Sequence, residues 1–266
     1  MAYGTVNADV IGTSTSNSNL GAGNATLMKN RIINGNMAFD QRNSGASVTA
    51  SATGAYTYTL DRWAYYNAAV GSKYTVQQTP SATESGYATR VGAGFTNYLA
   101  CTSSSAYTPG STDLFIDAQK IEANNISDWA WGTANAKPAT LSFWAYSSLT
   151  GTFGGCLFNP SGSNSMPFSY TISAANTWTQ ITVAVSAPTS VAFGTGTSAF
   201  VNVSFLLGSG SPNLGGTSGT WTAGGTVYWA PTGSTNVVAT SGATLYITGV
   251  QLEVGPSATG FEYRPY

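Results

Sequence analysis

The strongest constraint on the fold is a series of short segments in which apolar and polar residues alternate. Residues 140–146, 178–185 and 201–207 each place every second side chain on one apolar face, formed in turn by Leu141, Phe143 and Ala145, by Ile181, Val183 and Val185, and by Val201, Val203, Phe205 and Leu207. A period of two is the pattern of a β-strand that is buried on one side. Loops rich in Gly, Ser, Thr and Pro separate these segments. About a dozen such strands predict an all-β fold, either a sandwich or a jelly roll.

The last strand of this pattern contains a glycine in its middle. One side of the strand holds Leu245, Ile247 and Gly249, and the other side holds Tyr246, Thr248, Val250 and Leu252. A glycine inside a strand marks a bulge or a place where another part of the chain approaches the backbone. Residues 118–122 could form one helical turn, but we favour a strand there.

The scarcity of charge limits what the chain can bind. Only 7% of the residues are charged, the net charge is -1, and 42% are hydrophobic. An ordinary soluble domain has about 25% charged residues. The composition is too hydrophobic and too neutral for a disordered chain, so we expect a folded protein with a hydroxyl-rich surface. The nine Lys and Arg residues are scattered, which argues against nucleic acid as a partner.

The sequence contains no histidine, which removes the commonest general base and the commonest metal ligand. A Ser-His-Asp or Cys-His catalytic site cannot be built from it. Its two cysteines, Cys101 and Cys156, cannot form a zinc site alone. We expect them to be small buried side chains, with a disulfide as the alternative.

The first residues differ from the rest of the chain. Residues 1–31 are mostly small and polar and offer few groups for a core. They predict an extended arm that orders against a partner, with a floppy tail as the alternative, and residues 32–266 form the sandwich. The chain has no run of about 18 apolar residues, which excludes a membrane-spanning helix, and its first seven residues do not resemble a signal peptide.

Two terminal motifs resemble those of a known family. Residues 29–42 read KNRIINGNMAFDQR, and residues 245–265 contain LYITGVQLEVG followed by ATGFEYRP. Further matching motifs lie at residues 60–63, 95–99, 131–137, 141–144, 149–155 and 170–178. Together they resemble tailed-bacteriophage virion proteins, which are labelled tail-fibre or minor structural proteins. The main domain of that family looks like a carbohydrate-binding-module jelly roll.

The resemblance implies a structural role on the surface of a phage particle. The arm would attach the body to capsid, portal, tail or fibre proteins, as a tail fibre, a head fibre or a head decoration. The family's first and last strands pair or pack in the same core. We expect a homotrimer on the virion, made in the host cytoplasm and released by lysis. The alternative is an adhesin module that binds host surface polysaccharide.

An enzymatic role has little support in the sequence. Glycosidases need two carboxylates about 5–10 Å apart. Most of the ten acidic residues lie beside Arg or Lys, or in motifs that look structural in the resembled family. We therefore expect no catalytic residues and no cofactor.

Three groups of residues are candidates for structural or binding sites. Arg62, beside Asp61, is expected to pair with Glu253 or Glu262, while Trp63 fills the core. Carbohydrate-module jelly rolls often hold a structural calcium, for which Asp40 and Glu253 are the nearest ligands here, although Gly249 stands where a further acid is usual. Aromatic rings that could stack on sugars occur in two segments: Trp129 and Trp131, and Trp221, Tyr228 and Trp229. The alternative for these rings is packing in the core or a subunit interface.

Overall fold

The alternating segments form two antiparallel β-sheets in the computed structural model, which describes residues 29–68, 70–80 and 94–263. Sheet A has the strand order β1-β4-β5-β12-β7-β10, and sheet B has the order β2-β3-β6-β11-β8-β9. The strands are β1 (Val48–Thr49), β2 (Tyr56–Tyr58), β3 (Trp63–Asn67), β4 (Tyr74–Pro80), β5 (Asn97–Ser103), β6 (Leu114–Glu122), β7 (Ala139–Ser147), β8 (Gly151–Asn159), β9 (Asn164–Ile172), β10 (Thr179–Val185), β11 (Ala199–Ser209) and β12 (Thr244–Val254). The strand expected at residues 118–122 is confirmed as the end of β6.

The order of the strands is that of a jelly roll. Of the eight strands from β5 to β12, four form the row β5-β12-β7-β10 and four form the row β6-β11-β8-β9. Strands distant in sequence are therefore neighbours, as in the two interlocked Greek keys of a jelly roll. The first four strands widen both sheets along one side, with β1 and β4 beside β5 and with β2 and β3 beside β6. The expected all-β jelly-roll sandwich is confirmed.

The core lies between the sheets and is built from the predicted apolar faces. The buried side chains include Leu141, Phe143 and Ala145 of β7, Ile181, Val183 and Val185 of β10, and Val201, Val203, Phe205 and Leu207 of β11. Burying a side chain of this size contributes about 1.5–3 kcal/mol. In the described part of the chain, helical structure consists of four single 3-10 turns, at Ala123–Asn125, Ser127–Trp129, Ser211–Asn213 and Val237–Ala239. No helix of the described residues is long and apolar enough to cross a membrane.

A bulge at Gly249 changes the face assignment of β12. The pairing of β12 with β7 shifts register between Thr248 and Gln251, and Gly249 has a φ of 60°. A Cβ atom at Gly249 would lie 2.4 Å from the ring of Phe95. Gly249 thus marks both a bulge and a close approach of another part of the chain, the two reasons expected for a glycine in a strand. The prediction that Val250 and Leu252 share a face with Tyr246 is wrong. They lie in the core with Leu245 and Ile247, because a bulge's extra residue reverses the alternation.

The beginning and end of the body close against each other, as the resemblance implies. The N–H of Arg31 donates to the carbonyl of Leu252 at 2.9 Å, and the N–H of Val250 donates to the carbonyl of Gly35 at 2.9 Å. A Cβ atom at Gly35 would lie 2.1 Å from the Val250 carbonyl oxygen. The predicted arm, apart from residues 29–31, lies outside the described residues.

Candidate functional site

Arg62 pairs with a carboxylate other than the two expected. Its Nη2 lies 3.5 Å from Oε1 of Glu122, and both side chains are partly exposed. The prediction of Glu253 or Glu262 as its partner is wrong. Because β3 pairs with β6, the turn that leads into β3 lies beside the end of β6, where Glu122 stands. Trp63 fills the core as expected and is fully buried.

The other acidic residues that the sequence analysis names with Arg62 accept hydrogen bonds that fix loops. Asp61 Oδ2 accepts a hydrogen bond from the backbone N–H of Gln41 at 3.2 Å. Glu253 Oε1 accepts the N–H of Thr259 at 2.8 Å. Glu262 Oε2 accepts a hydrogen bond from the backbone N–H of Asn30 at 2.7 Å. These carboxylates thus hold the ends of the body in place.

The residues proposed for calcium do not fit a calcium site. The two carboxylate oxygens of Asp40 accept the backbone N–H groups of Asn43 and Gly45, at 3.0 and 2.7 Å, and so close a turn. The oxygens of Glu253 are bound to other parts of its own C-terminal segment. Among the described residues, no three His, Cys, Asp or Glu side chains come together as potential metal ligands.

Trp129 and Trp131 are core residues. Trp129 is 0% exposed and Trp131 is 5% exposed, and their rings meet edge to face with centroids 5.2 Å apart. Of the two roles that the sequence leaves open, these rings take the alternative, packing in the core. Residues Ser127–Trp129 form a 3-10 turn, and Ala130 then takes a left-handed conformation, which folds the segment inward. Rings this buried cannot stack on a sugar.

Tyr228 and Trp229 are half-buried and pack on neighbouring loops and strands. A Cβ atom at Gly215 would lie 2.6 Å from the ring of Tyr228, so this ring covers the glycine backbone. Trp229 packs on Phe158 of β8, with centroids 5.0 Å apart. Although Trp221, Tyr228 and Trp229 are close in the sequence, their rings do not form one platform.

Trp221 is half-buried beside an open groove. Its indole Nε1 donates to the carbonyl of Ser186 at 2.9 Å. Its ring lies 5.7 Å from Trp131 and 5.6 Å from Phe193, measured between centroids. The groove has a volume of about 440 Å³ and is lined by residues 186–192, by residues 220–225, and by Gly162 and Asn164. We call it the Trp221 groove.

A second groove is lined by the next part of the same loop. Residues 186–198 connect β10 to β11 and form the β10–β11 loop. The second groove has a volume of about 390 Å³, and its lining includes Phe193, the rim residues Asn124, Ser127 and Thr133, and Phe200 deeper in. We call it the Phe193 groove. The two grooves adjoin, because Phe193 of one and Trp221 of the other pack together with ring centroids 5.6 Å apart.

The half of the sandwich that carries these grooves is almost free of charge. No residue from Pro138 to Leu252 is charged. Strands β7 to β11 therefore contain no charged side chain, and β12 contains only Glu253. These strands lie together, as β12-β7-β10 in sheet A and β11-β8-β9 in sheet B. The surface they form can offer hydroxyl, amide and aromatic groups but no ionic contact.

An aromatic cluster on the outer face of sheet A was not foreseen. Tyr246 stacks on Tyr98 and Tyr146, with centroids 4.9 and 5.2 Å away, and Trp178 packs on the same rings. All four side chains are buried. The sequence places Tyr146 and Tyr246 opposite the core face of their strands. Their contact depends on the pairing of β7 with β12, which the sequence pattern does not give.

The described carboxylates are engaged in structural contacts, and four of them, Asp61, Asp113, Asp117 and Glu253, are buried. Asp117 of β6 is 1% exposed, and its Oδ2 accepts a hydrogen bond from the thiol of Cys101 on β5 at 3.1 Å. Burial raises the pKa of Asp117 to about 7. Cys101 and Cys156 are both free and buried, so the expectation of small buried side chains is confirmed. None of these groups lines either groove.

The comparisons with known proteins return similar folds and no relative by sequence. No family model and no curated protein matches the chain. A tailspike protein 4 domain of bacteriophage CBA120 has a TM-score of 0.41 at 11% identity, over 85% of this chain and 21% of that one. A family 11 carbohydrate-binding module from Clostridium thermocellum has a TM-score of 0.36 at 8% identity, over 78% and 94%.

A third similar structure is the carbohydrate-binding module TmCBM61, with a TM-score of 0.38 at 10% identity, over 85% of this chain and 99% of that one. This chain spans about a fifth of the tailspike domain. Because the identities and TM-scores are this low, no function is transferred from these proteins to this chain. The jelly-roll assignment rests on the strand order of this chain itself.

Proposed function

We propose that this chain is a non-enzymatic surface subunit of a bacteriophage particle. In this role the sandwich is displayed as a tail fibre, a head fibre or a head decoration, and residues 1–31 attach it to the particle. The terminal motifs, whose resemblance to virion proteins suggested this role, form one closed unit in the fold. The pairing of Arg31 with Leu252 and of Gly35 with Val250 is the observation that carries the proposal.

This closure would suit attachment through the N-terminal segment. Side-chain contacts hold Arg31 at the point where the segment meets the body. Its Nη2 lies 2.6 Å from Asp128 Oδ2, its Nη1 donates to the carbonyl of Asn125 at 3.0 Å, and its guanidinium lies 5.5 Å from the ring of Trp129. A pull on the arm would thus be transmitted to the core of the sandwich.

The absence of catalysis is part of the proposal. A glycosidase needs two carboxylates facing one cleft. The grooves contain no acidic residue in their linings. The described carboxylates instead cap turns, pair with cations or lie in the core. The proposed role requires no cofactor.

The partners in this proposal are other virion proteins and further copies of the chain. A capsid, portal, tail or fibre protein would hold the arm. A homotrimer fits a surface with few charges, because copies can pack without desolvating ionic groups. The chain would reach the virion surface after synthesis in the host cytoplasm and release by lysis.

A second candidate function is recognition of a host surface polysaccharide. The Trp221 groove favours it, since it combines a half-buried indole with the exposed hydroxyl-bearing residues Thr189, Ser190 and Thr220. Aromatic faces and hydroxyl or amide groups are the contacts that a sugar ring can satisfy. Both functions can belong to one surface subunit.

Complementation of phage that lack this gene product tests the proposed attachment. We expect full-length chain to appear in purified particles, and a chain that lacks residues 1–28 to be made and folded but absent from them. The matched control is a chain with residues 1–28 replaced by a Gly/Ser segment of equal length. Incorporation of the truncated chain at the full-length level would contradict attachment through the arm.

A further inference from the structure

We infer that the two adjoining grooves bind one uncharged polysaccharide chain. This inference rests on the proposed glycan recognition and names the class of glycan. It excludes glycans whose recognition depends on carboxylate, sulfate or phosphate groups. The charge, the geometry and the polar groups of the grooves each support it.

The linings of the grooves contain no charged residue. Neither the Trp221 groove nor the Phe193 groove is lined by Lys, Arg, Asp or Glu. An anionic sugar held there would lose hydration without gaining a cation, and such a loss is not offset by neutral contacts alone. A charged residue does stand close to the Phe193 groove: Asp128, next to the lining residue Ser127, is acidic and already paired with Arg31. The Arg31 guanidinium balances the charge of Asp128, so this ion pair adds no net charge beside the groove.

The two grooves are separated by a thin aromatic wall. Phe193 and Trp221 pack edge to face, with centroids 5.6 Å apart, and both are half-buried, so parts of both rings stay accessible. Phe193 also stacks on Phe200 at 4.5 Å, which fixes its ring. A chain of sugar residues that follows the end of the sandwich would therefore meet one aromatic side chain in each groove.

The rims supply polar groups without obstructing the grooves. Gly224 and Gly225 have φ angles of 67° and 73°, and a Cβ atom at either position would meet no atom within 4 Å. Thr189, Ser190 and Thr220 are exposed at the Trp221 groove. Hydroxyl groups can donate and accept, which suits the mixed hydrogen bonding of sugar hydroxyls. The result is an open, neutral channel rather than an enclosed pocket.

Binding to a panel of soluble polysaccharides tests this inference. The panel pairs neutral polysaccharides with their carboxylated or sulfated counterparts, and binding to the full chain is measured at low and high salt. We expect neutral members to bind with an affinity that salt does not change, since no ion pair contributes. Binding only to acidic members, or affinity that falls with salt, would overturn the inference and leave glycan recognition standing. Binding to no member would overturn glycan recognition itself.

Variants locate the binding in the grooves. We expect Trp221→Ala and Phe193→Ala each to lower the affinity roughly tenfold, which corresponds to about 1.4 kcal/mol. Trp229→Ala is the matched control, because this half-buried indole lies outside both grooves. Ser190→Glu is a variant at an exposed position that should fold normally and abolish binding. Unchanged affinity in Ser190→Glu and Trp221→Ala would overturn the assignment of the site.

Discussion

The thiol of Cys101 and the carboxyl group of Asp117 meet across the core of the sandwich, 3.1 Å apart. Cys101 belongs to β5 of sheet A and Asp117 to β6 of sheet B, so the contact joins the two sheets. Oδ1 of Asp117 has no hydrogen-bond partner among the described residues. An acid in this position is held neutral in the fold, because burial disfavours its charged form.

Stability should therefore fall as the pH rises through the weakly acidic range. The pKa of Asp117 is raised from 3.8 to about 7. Between these values the folded state keeps a proton that the unfolded state has released, so the stabilisation is complete below about pH 4 and lost by about pH 7. The loss amounts to a few kcal/mol, roughly 1.4 per pKa unit. Denaturant unfolding at several pH values measures it.

The Asp117→Asn variant isolates this effect. We expect its stability to be nearly independent of pH between 4 and 7, because the variant side chain does not ionise. Asp128→Asn serves as the control, since Asp128 is an exposed acid paired with Arg31, and it should keep the slope of the parent chain. If the Asp117→Asn variant kept the parent's dependence of stability on pH, Asp117 would not be the source of that dependence.

The closure of the body depends on a glycine at position 35. A Cβ atom there would lie 2.1 Å from the backbone oxygen of Val250, which cannot move without breaking the pairing with β12. We expect Gly35→Ala to destabilise the fold by at least the 1–3 kcal/mol usual for overpacking. Gly260→Ala is the control, because a Cβ atom there meets nothing within 4 Å. Equal unfolding midpoints for the two variants would contradict the close approach.

The Arg62–Glu122 pair should contribute little to stability. Both side chains are 32–40% exposed, and exposed pairs typically contribute no more than about 1 kcal/mol. We expect Arg62→Ala to change the free energy of unfolding by less than that amount. Trp63→Ala, at the adjacent buried position, should cost about 3–5 kcal/mol. Comparable losses in the two variants would show that Arg62 has a structural role beyond its ion pair.

Removal of calcium should leave the protein unchanged. The carboxylates of Asp40 and Glu253 are committed to separate sets of hydrogen bonds. We expect the same thermal unfolding midpoint in EDTA and in excess calcium. A midpoint that rises with calcium concentration would reveal preferential binding to the folded state and would restore the calcium hypothesis.

The sequence predicts local pattern well and distant pairing poorly in this chain. Alternation alone placed Leu141, Phe143 and Ala145 in the core, because each face of a strand is determined by its own residues. The same rule failed at Val250, where the bulge at Gly249 adds one residue to the strand. The partner of Arg62 was missed because Glu122 is brought near by the pairing of β3 with β6.

The candidate site was predicted only in part. Trp221 was named from its sequence context, and the structure places it beside a groove. Trp129 and Trp131 have the same aromatic character in the sequence, but a 3-10 turn buries them. The grooves themselves are assembled from residues 123–133, 186–196 and 220–225, which are distant in the sequence and meet through tertiary contacts such as those of Trp221 with Ser186 and Phe193.

The orientation of the sandwich on the particle links the two proposed functions. Arg31, where the arm meets the body, contacts Asn125 and Asp128, and these residues border the Phe193 groove. Arg31 therefore lies near the end that carries the grooves. Glycan recognition requires that this end remain open to solvent.

Cryo-electron microscopy of the intact particle tests the central claim most directly. The proposal predicts density for the jelly-roll sandwich on the surface of the head or tail, with residues 1–31 in contact with another virion protein. Density at capsid vertices or between capsomers would identify a head fibre or decoration, and density on the tail would identify a fibre component. Purified particles that lack this chain altogether would contradict the proposed function.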